Sequence, residues 1–202
     1  MSDLGHDGAR LHNAAIGLGS NLGRSLETLQ KAWLDFQSYP SLIPVALSSP
    51  YRSKPVDMAS ANWFVNAAAL IRTPLQPHPL LRLLHEIEQH HGRERKHSRY
   101  GHNDRTLDLD LLLYDDLIFF DGQLSLPHPR MRDRLFVMVP LAEIAGEIIY
   151  PGSGQTISTL LADLYRRQPQ QKIVTIQWVK DFRDRLSKAG KKDCDRTIQL
   201  DI

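Results

Sequence analysis

The apolar run from Leu107 to Tyr114 is broken by only two polar side chains, the carboxylates of Asp108 and Asp110. A run of that length bounded by polar residues reads as a buried strand. Successive side chains on a strand point to opposite faces, so the two acids share one face, roughly 6.5–7 Å apart along the chain. Burying two uncompensated carboxylates is costly, so the fold must bring opposite charge to them. Such charge stands close in sequence: Arg93, Arg95, Lys96 and Arg99 precede the strand and Arg105 abuts it. Carboxylates hold hard divalent cations and arginine forks hold phosphate oxygens, so the pattern points to phosphoryl transfer. Taken alone, the pair is equally compatible with one carboxylate simply bridging to a neighbouring arginine.

With 202 residues the chain suits one domain with a substantial core and an added tail. An apolar fraction of 42% and a charged fraction of 24% argue against disorder throughout. The net charge of +2 is too small to imply nucleic-acid binding, although cations crowd between Arg93 and Arg105 and again at Arg130, Arg132 and Arg134. A nucleic-acid module built on that basic loop is the competing class, and its affinity would fall steeply with salt. The single cysteine, Cys194, excludes an internal disulfide and suits a reducing compartment. No apolar stretch approaches bilayer length, and the polar N-terminus lacks the apolar core of a signal peptide. The expectation is a cytoplasmic monomer acting on small molecules, with no nucleic acid and no membrane.

Residues 1–12 read as a flexible leader. Ala14 to Leu18 is a short buried strand and Gly19 to Gly23 a turn. Ser25 is placed to N-cap a helix carrying Leu26, Leu29, Trp33 and Phe36 at helical spacing. Strands follow at 45–52 and 63–71, the second with Asn66 as the one polar residue in its middle. Leu80, Leu81, Leu84 and Ile87 mark an amphipathic helix that Gly92 closes. After the strand bearing the acid pair come a turn at Asp115-Asp116 and a helix near Met131 to Ala145. The order β-α-β-β-α-β predicts an α+β, ferredoxin-like α/β sandwich, an antiparallel sheet flanked by helices that pack on one face. The division is a leader (1–12), one domain (13–165) and a C-terminal extension (166–202) containing a strand at 172–179 and a charged helix at 181–188.

Six segments in order then resemble one family: Ile16-Gly17-Leu18-Gly19-Ser20-Asn21-Leu22, Ser49-Pro50-Tyr51-Arg52, Phe64-Val65-Asn66-Ala67, Glu88 with Gly92-Arg93-Glu94-Arg95, Arg105 to Asp110, and Leu126-Pro127-His128-Pro129-Arg130-Met131. They are similar to 6-hydroxymethyl-7,8-dihydropterin pyrophosphokinases of folate biosynthesis, over about residues 13–165. The resemblance implies transfer of a pyrophosphoryl group from ATP, the co-substrate, to the pterin hydroxymethyl oxygen, with release of AMP and participation of two Mg²⁺ ions. It implies that Asp108 and Asp110 hold both ions, and that Arg93 and Arg105 stabilise charge on the transferred group. Arg95, Lys96, His128 and Arg134 would grip the other phosphates, with Glu88 on the nucleotide side. For the pterin it implies the amide of Asn66, a sandwich between Phe64 and Phe136, the backbone of Ser53, Lys54, Pro55 and Val56, and Tyr100 in the closing loop.

The chain departs from the family at three places. His85 stands where relatives usually carry Gln, Tyr100 where many carry Trp, and Gly101-His102-Asn103-Asp104 replaces a shorter Gly-Pro. A longer loop without proline has more entropy to lose on closing. These differences motivate the alternative of a paralogue acting on another hydroxymethyl-pterin. The histidines 85, 90, 91, 97 and 102 match no zinc spacing. Gly17, Gly19 and Gly23 do not form a dinucleotide fingerprint, and a tight turn accounts for them.

Overall fold

The computed structural model describes residues 10–55, 61–93 and 104–193, with side chains to residue 186. The chain runs β1 (His12–Ser20), α1 (Ser25–Phe36), β2 (Ile43–Leu47), β3 (Tyr51–Ser53), β4 (Phe64–Thr73), α2 (Pro77–His90), β5 (Asp108–Tyr114), β6 (Phe119–Phe120), β7 (Ser125–Leu126), a 3₁₀ turn (Met131–Asp133), α3 (Leu135–Ala145), α4 (Ile157–Arg167), β8 (Ile173–Thr175) and α5 (Lys180–Asp193). The main sheet is antiparallel in the order β5-β1-β4-β3-β8, and β2 lies in line with β3 on the same edge of β4. Through β5 this is the expected ferredoxin-like connectivity.

Helical spacing puts Leu29, Ala32, Trp33 and Phe36 of α1, and Leu80, Leu84 and Ile87 of α2, against Ala14, Ile16, Leu18, Ala67, Ala69 and Ile71 of the sheet. Deleting one of these large buried side chains costs about 3 kcal/mol or more. Ser25 is the first helical residue rather than the cap: Arg24 occupies that position, and its carbonyl accepts from the Thr28 amide at 3.0 Å. Pro77 opens α2, where a missing N–H costs nothing, and Gly92 ends it at φ +77°.

The expected strand at 45–52 is two strands. Ser48 interrupts it, its hydroxyl accepting the Ala68 amide at 2.9 Å in place of a ladder bond, and Pro50 has no amide to offer.

Helices cover both faces of the sheet, not one. α3 and α4 bury Leu135, Met138, Leu141, Ile157, Leu160 and Leu164 against Ala15, Ala68, Leu112 and Leu113. The small side chains at the centre of β1 and β4 let α3 approach closely. A near-continuous apolar strand is the signature of burial on both faces, and β4 carries it. The helix expected at 131–145 breaks at Arg134, which is extended (φ −124°, ψ 108°) between the 3₁₀ turn and α3. Helix α4 lies where the sequence reading assigned no element, although Thr156 caps it by accepting the Thr159 amide at 3.2 Å. The β6–β7 ribbon was likewise unassigned. Among the described residues no helix is long and apolar enough to cross a membrane.

Candidate active site

Between Ala15 and Ile16 the β1–β5 register shifts by one, because Leu112 is an extra residue in β5. The bulge reverses the alternation: Leu109 and Leu111 enter the core under α1 and α2, whereas Leu112 and Leu113 enter the core under α3. Asp108 and Asp110 therefore lie on the α3 face, beyond the end of that helix. Opposite them on β1 are Gly19 and Gly17. A Cβ on Gly19 would stand 3.3 Å from Asn66 Oδ1, and one on Gly17 3.5 Å from Leu112. Glycine at both positions keeps the floor of a cavity clear.

That cavity is walled by Ser53, Lys54, Phe64 and Asn66 on one side and by Arg130, Arg134 and Phe136 on the other. A second cavity is lined by Leu81, His85, Glu88, Arg93, Phe120 and Leu124, among others. Among the described residues the two share three: Asp108, Asp110 and His128.

An ion network crosses the seam. Arg93 Nη1 contacts Asp108 Oδ1 at 2.6 Å and also Glu88 Oε1, while Arg105 Nη1 donates to Asp108 Oδ2. Glu88 is 1% exposed, and its Oε1 also accepts the Leu109 amide at 2.7 Å, fastening α2 to β5. Burial first, and the neighbouring Asp108 charge second, push the Asp110 carboxyl up to about 7, against the pull of Arg105. Burial and then the charges of Arg134 and Arg130 push His128 down to about 4, so its imidazole is neutral at neutral pH. His128 Nδ1 is buried with no hydrogen-bond partner among the described residues.

Asn66 Nδ2 donates to Ser53 Oγ at 3.0 Å, which turns its carbonyl oxygen toward Gly19 and the cavity floor. The Arg134 guanidinium lies 5.4 Å from the Phe136 ring centroid, over its face. Arg105 is held through its backbone by Asn21. The Asn21 Oδ1 accepts the Arg105 amide at 2.8 Å, the Asn21 amide donates to the Arg105 carbonyl at 3.1 Å, and Asn21 Nδ2 donates to Asp104 at 2.6 Å. Sequence reasoning placed Asn21 in a turn; its 5% exposure makes it a structural partner of the arginine.

Of the residues singled out from sequence, Glu88 and Arg93 line the second cavity, Arg105, Arg134, Ser53, Lys54, Phe64, Asn66 and Phe136 line the first, and Asp108, Asp110 and His128 line both. Arg134, expected beside the nucleotide phosphates, thus stands instead in the wall of the first cavity. Pro55 lines neither. Val56, Arg95, Lys96 and Tyr100 lie outside the described residues. Arg130 and Phe120 were given no role from sequence, and Gly17 and Gly19, expected in a tight turn, lie instead within β1, where their lack of a side chain leaves room beside the acids.

Residues 15–146 match the 7,8-dihydro-6-hydroxymethylpterin-pyrophosphokinase (HPPK) family. A 2-amino-4-hydroxy-6-hydroxymethyldihydropteridine pyrophosphokinase of Methylorubrum extorquens is 40% identical over 151 residues, spanning 75% of this chain and 92% of that one. The enzyme of the same name from Haemophilus influenzae is 43% identical over 148 residues, 73% of this chain and 90% of its own. In three dimensions, the HPPK-DHPS chain of Plasmodium falciparum aligns with TM-scores of 0.62 and 0.61 in two crystal structures, at 12% and 13% identity over 80% of this chain. This chain spans 44% and 46% of those longer chains, and at that identity the likeness concerns the fold alone.

Proposed function

This chain belongs to the 7,8-dihydro-6-hydroxymethylpterin-pyrophosphokinase family, and from that membership we propose how its residues divide the work of pyrophosphoryl transfer to hydroxymethyldihydropterin in folate synthesis. The first cavity takes the pterin and the second takes ATP. The observation that carries this reading is that, among the described residues, the two cavities meet at Asp108, Asp110 and His128. A donor and an acceptor bound on either side of that seam would meet there.

The acid pair fits Mg²⁺. Asp110 is a buried carboxyl beside a second carboxylate, an arrangement that a divalent cation relieves. Among the described residues no cluster of three or more His, Cys, Asp or Glu side chains could cage a metal. Mg²⁺ commonly takes one or two carboxylates and completes its shell with phosphate oxygens and water. Two ions held by Asp108 and Asp110 would neutralise the triphosphate and lower the pKa of the attacking hydroxyl, with no separate general base required.

The protein's own groups supply the rest. Arg93 and Arg105, paired with Asp108 in the free protein, turn their forks to phosphate oxygens once that carboxylate is otherwise engaged. His128, kept neutral, offers a ring N–H at the seam. Asn66, its NH₂ fixed on Ser53, presents a carbonyl acceptor to N–H donors of the pterin edge, and Phe64 and Phe136 flank the flat ring. His85 lines the second cavity, so its departure from the family pattern supports altered nucleotide handling more than a change of acceptor. For compartment and assembly the reading is a cytoplasmic monomer; the lone cysteine, Cys194, supports the former, and native mass spectrometry tests the latter.

The deciding assay mixes protein, ATP, Mg²⁺ and reduced 6-hydroxymethylpterin. AMP and pterin diphosphate are expected in equal amounts. ADP as the nucleotide product, or a faster reaction with another pterin alcohol, would overturn the reading.

A further inference from the structure

The stretch from Arg167 to Phe182 lies beyond the family-matched residues, yet it is tied to both walls of the first cavity. On one side, Ile173, Val174 and Thr175 pair with Ser53, Arg52 and Tyr51, and the Ile176 amide donates to the Pro50 carbonyl at 2.9 Å. On the other, Gln171 Oε1 accepts the Leu135 amide at 2.9 Å while Gln171 Nε2 donates to the Asp133 carbonyl at 2.8 Å. The side-chain amide thus brackets Arg134 at the point where the backbone leaves the 3₁₀ turn for α3. It also satisfies one of the amides that the first turn of a helix leaves without an internal partner. Gln171 and Ile173 are two residues apart, about 7 Å of extended chain. One short span therefore fixes the Arg134–Phe136 wall at one end and the Ser53–Lys54 wall at the other. Its far end is anchored: Trp178 is buried, donates through Nε1 to the Ser48 carbonyl at 3.1 Å, and meets Phe182 edge-on at 5.2 Å.

We propose that this segment is a strap that sets the width of the first cavity, and that Gln171 is a positioning residue for the acceptor. Gln171 does not line the cavity; it acts through Arg134 and Phe136. The proposal rests on the assignment of that cavity to the pterin. Loosening the strap moves one wall relative to the other and leaves the second cavity, built from α2, β5 and the β6–β7 ribbon, unchanged.

The test is Gln171→Ala in the full chain, with Leu83→Ala as a control that lowers the melting temperature from α2, which packs on β5 at the far edge of the sheet from β8. For Gln171→Ala the pterin KM is expected to rise about five- to ten-fold, with nucleotide affinity and kcat within about two-fold of wild type. Amide hydrogen exchange should quicken at 51–54 and at 135–137 together. Gln171→Glu, which keeps the acceptor for the Leu135 amide and loses the donor to Asp133, should recover part of the KM. An unchanged pterin KM in Gln171→Ala overturns the strap, as does an equal rise in Leu83→Ala. If the wild-type protein failed to use the pterin at all, the acceptor assignment would fall separately. Exchange rates would then decide, and unchanged exchange in either wall would overturn the strap.

Discussion

Arg93 Nη1 stands 2.6 Å from Asp108 Oδ1, and Arg105 occupies the other oxygen of the same carboxylate. The side chain proposed to hold Mg²⁺ is thus already neutralised in the free protein. The cation must displace two guanidinium contacts, which phosphate oxygens then compensate. Mg²⁺ and nucleotide are consequently expected to bind as linked ligands. Calorimetric titration should give a weak Mg²⁺ affinity alone, tightened by about ten-fold or more when a non-hydrolysable ATP analogue is present, and by the same factor in the reverse order. Equal Mg²⁺ affinity with and without nucleotide would falsify the exchange.

Asp110 carries a pH signature. Its carboxyl is pushed up by burial and by Asp108, so between the unfolded value near 4 and about 7 the folded chain keeps a proton that the unfolded chain has lost. The stability this proton provides is fully present below the unfolded pKa and is lost as pH rises through the folded one. In EDTA, Asp110→Asn should be more stable than wild type at pH 8 by about 2 kcal/mol or more, a gap that closes toward pH 4. Urea unfolding at both pH values measures it, and a gap independent of pH would refute the buried titration. The same substitution, and Asp110→Ala, should abolish Mg²⁺-dependent turnover.

The acid-bearing strand and its arginines were legible because charge inside an apolar run is costly and needs partners. The connectivity through β5 followed from periodicity. The bulge at Leu112 was not legible, since neither glycine nor proline marks it and its three leucines look alike on either face. The second helical layer was missed because Ala15 and Ala68 carry little hydrophobic signal, although they are what lets α3 approach. Asn21 and Gln171 act through hydrogen bonds to residues 84 and 36 positions away, and no local pattern reports such contacts.

Arg105 is assigned to charge that develops during transfer, so it should matter more for turnover than for binding. Arg105→Ala is expected to lower kcat about 10²–10³-fold while nucleotide affinity changes only a few-fold. Because Asn21 holds the Arg105 backbone from both sides, Asn21→Ala should show the same kinetic pattern at about ten-fold. Normal turnover combined with weak nucleotide binding in Arg105→Ala would contradict the assignment.

Glu88 separates a structural role from a ligand role. Its Oε1 holds the Leu109 amide and Arg93 at a site almost closed to solvent, so its loss leaves a buried amide without an acceptor and Arg93 without one of its carboxylates. Glu88→Ala is expected to cost about 3 kcal/mol of stability, because breaking one side of a buried pair strands the other. Nucleotide affinity should fall as well, since Arg93 loses its fixed direction toward the second cavity. Chemical denaturation and analogue binding on one preparation give both quantities. Full stability with weakened binding would instead make Glu88 a direct nucleotide contact, the role its position in the sequence motif suggested.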